Sequence, residues 1–147
     1  MSFMSARDQI VTICQNASVT TFVGASGDRF RYNDSVNRER LGTTREFFLE
    51  LSGGAVGGPL TSITRIWRAD LTLGVFYQDV RSSKKYDELV VSDYQQLADA
   101  LLDTTQWNTA VSKIRTITVA GSNIVNYDIE DFEDSRILNI TISLEYE

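Results

Sequence analysis

Four apolar residues recur three or four positions apart near the start of the chain, a spacing that places them on one face of a helix. They are Ile10, Ile13, Cys14 and Ala17. The spacing predicts an amphipathic helix over 5–17. A similar apolar stripe predicts a second helix over 92–105, where Ser92 and Gln95 fit the capping-box pattern that often opens a helix.

Alternation of apolar and polar residues, the period of a strand, predicts four strands. They span 43–51, 61–77, 111–120 and 137–146. The last is the most regular, because every second residue from Leu138 to Tyr146 is apolar and the residues between are polar. This pattern predicts a strand with one buried face and one polar face.

The order helix, two strands, helix, two strands predicts a single α+β domain over 1–147. We expect a mostly antiparallel sheet with both helices packed on one face, and an opposite face of Thr, Ser, Asn, Arg and Asp left for water or a partner. Residues 24–42 are polar and glycine-interrupted, and 52–60 (SGGAVGGPL) hold four of the nine glycines. Both segments are predicted as extended loops, the first with room for a strand around 30–32.

Several kinds of chemistry are excluded by composition. The chain has no histidine and a single cysteine, which removes histidine-dependent catalysis, mixed Cys/His metal sites and internal disulfides. We therefore expect no enzymatic activity, no metal site and no cofactor, with Cys14 a buried and inert thiol. No apolar run approaches the roughly 20 residues that cross a bilayer, so we expect no membrane partner.

Charge is unevenly distributed in this chain of net charge −6. Residues 28–45 hold five arginines against three acidic residues, whereas 120–147 hold seven acidic residues against one arginine. A basic segment and an acidic segment in one small domain suit head-to-tail self-association, in which unlike charges of neighbouring copies meet. The alternative is that the charges vary at random over the surface. The candidates for inter-subunit pairing are Arg38, Arg40, Arg45 and Asp70.

The segment NYDIEDFEDSR, residues 126–136, concentrates carboxylates. They belong to Asp128, Glu130, Asp131, Glu133 and Asp134. The run lacks the central glycine and the ligand spacing of an EF-hand loop. Two interpretations stay open: a solvated acidic loop, or an acidic surface that faces a neighbouring subunit or a pore.

This succession of segments resembles the tail terminator proteins of long-tailed bacteriophages. The resemblance spans nearly the whole chain: the first helix, the Arg-rich segment DRFRYNDSVNRERLGTTREFFLEL, the hairpin into ITRIWRADLTLGVFY, the helix SDYQQLADALL and the final RILNITISLEYE. It implies a structural virion protein of the tail or neck, assembled in the host cytoplasm. Such proteins form a ring, usually a homohexamer, that caps the head-proximal end of the tail tube and stops its polymerisation.

The resemblance also implies partners. They are other copies of the chain, the tail tube protein and the head-tail connector, with DNA passing through the bore without specific binding. Two other interpretations stay open. One is a head-tail connector or tail-tube subunit. The other is a small-ligand-binding α+β domain with a pocket that holds Asp70 or the acidic run.

Overall fold

The computed structural model describes residues 2–19, 29–33, 44–57, 66–77, 84–108, 113–126 and 135–147. Two α-helices and five strands lie within these residues. They are α1 (Ser2–Gln15), β1 (Arg31–Tyr32), β2 (Glu46–Gly57), β3 (Trp67–Tyr77), α2 (Lys84–Leu102), β4 (Ile114–Asn126) and β5 (Arg136–Tyr146). The fold is α+β, as predicted, with an additional short strand ahead of the first predicted pair.

The strands form one mixed sheet in the order β1-β2-β3-β5-β4. The pairs β2–β3, β3–β5 and β5–β4 are antiparallel, whereas β1 runs parallel to β2. The prediction of a mostly antiparallel sheet is therefore met in part: three of the four described pairings are antiparallel, and the short β1–β2 pairing makes the sheet mixed. A two-residue parallel strand is too short to leave a periodic pattern in the sequence.

Both helices pack against the same face of the sheet, which we call the covered face. The buried residues of α1 recur at helical spacing, as predicted: Ala6, Ile10, Ile13 and Cys14. Ala17, which was predicted within the helix, lies just beyond its end and is buried as well. These residues join one apolar cluster with buried residues of α2 and with alternate residues of β2, β3 and β5. On β5 the buried residues include Leu138, Ile140, Ile142 and Leu144, which confirms the alternation read from the sequence.

The second helix begins eight residues before its predicted start. α2 already includes Lys84, so Ser92 lies inside the helix and the capping-box interpretation of Ser92 and Gln95 is wrong. Burial along α2 explains the longer span, because the buried stripe continues through Leu89 and Val90 ahead of Leu97. The buried stripe of α2 therefore extends ahead of the predicted helix start.

The glycine-rich segment 52–60 was predicted as an extended loop, and this prediction is wrong for residues 52–57, whereas 58–60 lie outside the described residues. Its residues 52–57 belong to β2, where Val56 pairs with Ala69 and Gly57 pairs with Arg68 of β3. A register shift between Leu51 and Val56 accommodates the glycines, which is typical of a β-bulge. Of the predicted loop 24–42, residues 31–32 form β1, as the sequence allowed, and 24–28 and 34–42 lie outside the described residues.

Candidate functional site

A buried ion pair joins the start of β2 to the middle of α2. The Nε and Nη2 atoms of Arg45 donate to the two carboxylate oxygens of Asp93 at 2.9 and 2.8 Å. The Tyr77 hydroxyl of β3 donates to the same carboxylate at 2.8 Å. All three residues are buried, and their hydrogen bonds supply the partners that such burial requires.

The local backbone directs Arg45 inward. Arg45 has a φ of 70°, in the left-handed region that a non-glycine residue seldom adopts. Its N–H donates to the carbonyl of Phe76 at 2.7 Å, and its guanidinium lies 5.7 Å from the ring centre of Phe30. The Arg45 charge is therefore neutralised within its own chain, which corrects the prediction that Arg45 pairs with a neighbouring subunit.

Burial and the neighbouring carboxylate act together on Tyr77. Both hold the pKa of its hydroxyl well above the ordinary value of 10.0, because each disfavours the phenolate. Tyr77 therefore stays protonated and donates its hydrogen bond to Asp93 across the neutral pH range.

Sequence reasoning missed Asp93. The feature that could have revealed it is an acidic residue on the apolar stripe of a helix. Asp93 lies between Val90 and Leu97, both of which are buried. The capping-box pattern of Ser92 and Gln95 predicts a helix start at this point and so conceals that Asp93 lies within the helix. A buried partner such as Arg45 explains a charge at this position, but the pairing joins residues 48 positions apart and is invisible to local patterns.

The face of the sheet opposite the helices, which we call the open face, carries short hydroxyl side chains over its central and β4 side. These residues are exposed or partly exposed: Thr72, Thr116, Thr118, Thr141 and Ser143. On neighbouring strands, Nε of Arg68 lies 3.7 Å from Oε1 of Glu145, and Asp70 is opposite Ser143. Asp70 is thus placed on the polar face, as predicted, and is only partly exposed.

The open face is not uniformly polar. Near the start of β2, the side chains of Phe48, Phe76 and Ile137 form a small buried cluster on this side. The Phe48 ring covers Gly74 so closely that a Cβ at Gly74 would lie 2.2 Å from a ring atom. The polar part of the open face therefore begins beyond this apolar cluster, which corrects the prediction of an entirely polar face.

A groove of about 320 Å³ lies between α2 and β4. Its apolar lining consists of Val90, Val91, Tyr94, Ile124 and Leu138. The Tyr94 hydroxyl accepts a hydrogen bond of 2.9 Å from the N–H of Gly121, which ties the wall of the groove to the edge of β4. Asp70 does not line this groove, so the structure does not bring Asp70 to the described pocket.

The remaining predicted site residues lie outside the described residues. They are Arg38, Arg40, Asp128, Glu130, Asp131, Glu133 and Asp134. Among the residues that the structure does describe, no group of three or more His, Cys, Asp or Glu side chains could hold a metal ion. Within the same residues, no helix is both long and apolar enough to span a bilayer.

Cys14 is the free cysteine of α1, and it is buried. Burial raises the pKa of its thiol to about 12, because the thiolate is poorly solvated there. The thiolate is the reactive form of cysteine, so Cys14 has the inert character expected of a core residue.

No protein-family model matches this chain, and no curated protein matches it.

Proposed function

We propose that this protein is a structural virion component that forms a ring at the head-proximal end of a bacteriophage tail tube. The ring, a homohexamer in this proposal, stops polymerisation of the tube and joins it to the head-tail connector. The protein has no catalytic role in this assembly, and its partners are its own copies, the tube protein and the connector.

The observation that carries the proposal is the one-sided packing of the sheet. Both helices lie on the covered face, which leaves a row of short hydroxyl side chains on the open face of β3, β5 and β4. A polar surface of short side chains suits contact with a large partner better than capture of a small substrate, for which concave and mostly apolar pockets are typical. The order of the elements resembles that of tail terminators, and from this resemblance we infer that the partner is the tail tube or the head-tail connector.

Charge supports the same assignment. A net charge of −6 disfavours tight binding to the phosphate backbone, as a channel for moving DNA requires. On the open face, the cation of Arg68 has Glu145 beside it, and Asp70 adds a further carboxylate. The acidic run over 128–134 is a candidate for the bore or for a subunit interface, where it would repel phosphates or meet cations such as Arg38 and Arg40.

The decisive experiment is to look for rings. Native mass spectrometry of the purified protein is expected to show a closed oligomer, and negative-stain electron microscopy is expected to show rings or caps on isolated tail tubes. Tail assembly without this protein is expected to give tubes of uncontrolled length. A protein that stays monomeric, even with tail tubes present, would contradict the proposal.

The bore assignment has its own test. Reversing the charges of Asp131 and Glu133 to lysine is expected to slow DNA delivery while tail length stays normal, because cations in the bore hold phosphates. Unchanged delivery in the Asp131→Lys/Glu133→Lys variant would exclude a bore role for this run and leave the solvated loop.

Two alternatives have distinct signatures in these experiments. A head-tail connector would appear at the portal end of filled heads, and a tail-tube subunit would polymerise into tubes rather than stop at one ring. The groove between α2 and β4, at about 320 Å³, favours a small-ligand-binding domain as the remaining alternative. That alternative predicts saturable binding of an apolar compound by a monomer.

A further inference from the structure

We propose that β4 is the edge through which two copies of this chain pair, so that the sheet of one copy continues into the sheet of the other. In the described part of the chain, β4 stands at the end of the sheet, with β5 on one side. An edge strand presents a row of outward-facing N–H and C=O groups that another strand can bind. This inference goes beyond the proposed ring and does not depend on it, because the pair concerns the free protein.

β4 lacks the charges and the proline that usually protect an edge strand from pairing. It is 13 residues long, and its part from Thr116 to Asn126 contains neither a charged residue nor a proline. The same stretch is rich in Ile, Val and Thr, which favour strands. Two of its apolar side chains, Ile124 and Val125, are 46% and 36% exposed. A long, uncharged edge of this kind is suited to pairing with another strand.

The register of β4 identifies β4 of a second copy as the strand that fits. Ile114, Val119 and Ile124 pair with Tyr146, Ile142 and Leu138 of β5, respectively. These β5 residues are evenly spaced, so a two-fold axis at Val119 places Ile114 of one copy opposite Ile124 of the other in an antiparallel pair. All three β4 residues lie on the covered side, since their β5 partners belong to or pack against the core cluster. The pairing therefore leaves each of them on its own side of the sheet, despite the two register shifts of β4.

This pairing brings an apolar side chain of the second copy to the groove between α2 and β4. Ile124 lines that groove together with Val91, which is 55% exposed. Ile114 of the second copy would lie directly beside Ile124 on the covered side, at the distance of about 5 Å that brings cross-strand side chains into contact. The N–H of Gly121 is already held by the Tyr94 hydroxyl, so the pair draws its hydrogen bonds from the other outward-facing groups of β4. The second copy therefore covers apolar surface that the single chain leaves in water.

Charge does not oppose the pairing. The same axis places Thr118 of one copy opposite Ala120 of the other on the open face, and both side chains are exposed and neutral. Arg115, the charged residue of β4, has Glu147 of its own chain at 3.5 Å. The part of β4 that it would face, residues 120–126, contains no charged residue. Self-pairing therefore brings no like charges of β4 together across the axis.

Charges introduced at Thr118 and Ala120 test both the contact and its register. Thr118→Arg/Ala120→Arg places arginines of one copy opposite arginines of the other, and Thr118→Glu/Ala120→Glu does the same with carboxylates. Each variant alone is expected to weaken the dimer by at least about tenfold, because like charges directly opposite each other repel. In an equimolar mixture arginines face carboxylates, so native mass spectrometry is expected to show heterodimers in excess over both homodimers.

The matched control is Thr12→Arg/Asn16→Arg. Both positions are exposed on α1, which contacts β1 at the other end of the sheet. This variant carries the same added charge and is expected to dimerise like the wild type, and circular dichroism confirms that every variant is folded. Hydrogen exchange of the wild type needs no substitution: amides of residues 116–120 are expected to exchange faster once the protein is diluted below the dissociation constant of the dimer.

Three outcomes would overturn the inference. They are a wild-type protein without dimers at any concentration, a double variant of β4 that dimerises as tightly as the wild type, and a mixture without an excess of heterodimers. If rings form while the mixture shows no such excess, the ring proposal stands and only this pairing is wrong. If the heterodimers form but no ring or cap appears with tail tubes present, the pairing stands and the ring proposal fails.

Discussion

Both sides of the sheet carry an arginine–carboxylate pair, and the pairs differ in geometry and in solvent contact. On the covered side, Arg45 and Asp93 approach to 2.8 Å and are fully buried. On the open face, Arg68 and Glu145 are 3.7 Å apart, and their side chains are 50% and 41% exposed. Removing one partner of the buried pair would leave an uncompensated charge inside the protein, which is costly. Water and salt screen the exposed pair, so the loss of one partner there costs little.

The largest expected effect follows from breaking the buried pair. Asp93→Ala leaves the Arg45 guanidinium buried without a counter-charge and is expected to lower the free energy of unfolding by about 3–5 kcal/mol. Urea denaturation followed by circular dichroism measures this loss. Asp99→Ala, an exposed position on the same helix, is the control and is expected to change stability by less than about 0.5 kcal/mol.

A double variant separates the cost of an unpaired charge from the value of the pair. Replacing both residues, as in Arg45→Met/Asp93→Leu, is expected to recover most of the stability that Asp93→Ala loses. If Asp93→Ala costs no more than Asp99→Ala, the pair is not buried in solution and the contrast between the two sides fails.

The second prediction concerns the apolar end of the open face. Gly74→Ala places a Cβ where the Phe48 ring lies, so the ring must move or the strands must separate. We expect a loss of about 1–3 kcal/mol in the free energy of unfolding, typical of overpacking. Gly121→Ala meets the Tyr94 ring at 3.2 Å and is expected to cost less in the same measurement.

The third prediction is that the free energy of unfolding depends on pH through Cys14 of α1. The raised pKa of Cys14 means that the folded protein retains the thiol proton when the unfolded chain has lost it, so stability is full below pH 9 and falls as the pH rises towards 12. At pH 10 the ionisation of Cys14 in the unfolded chain is expected to lower the free energy of unfolding by about 1.4 kcal/mol relative to neutral pH. Denaturation of wild type and Cys14→Ala at pH 8 and 10 isolates the contribution, because the variant lacks this slope.

The smallest effect is expected at the exposed pair. Arg68→Ala or Glu145→Ala should change the free energy of unfolding by less than about 1 kcal/mol, because both side chains are largely exposed to water. Adding salt should reduce the difference from wild type further. A larger and salt-insensitive loss would mean that these side chains are covered in the protein studied, as they would be within an assembly.

Periodicity predicted the parts of the fold whose burial is one-sided. The sequence predicts β5 over Ile137–Tyr146 and the structure has it over Arg136–Tyr146, because alternate burial leaves a clear pattern of period two. The face of α1 was recognised for the equivalent helical reason. In both cases the local sequence contains the information about which side is buried.

Periodicity did not predict the features that depend on pairing between distant parts of the chain. The glycines of 52–57 are weak strand formers alone, but the pairing of Val56 and Gly57 with β3 keeps this segment in the sheet. The partner of Arg45 is Asp93, 48 positions further along the chain, so local sequence shows the charge of Arg45 but not that this charge is buried and paired. Arg38, Arg40 and the acidic run over 128–134 stay predictions, because they lie outside the described residues.

The position of β5 in the sheet has a consequence for synthesis of the chain. β5 lies between β3 and β4, yet Arg136 follows Tyr77 only after 58 further residues. Until β5 emerges from the ribosome, β3 lacks one of its two neighbours and β4 lacks the strand that pairs with it along its length. Non-local pairing of this kind slows folding, so the edges of β3 and β4 stay open to pairing with other chains until β5 has been made.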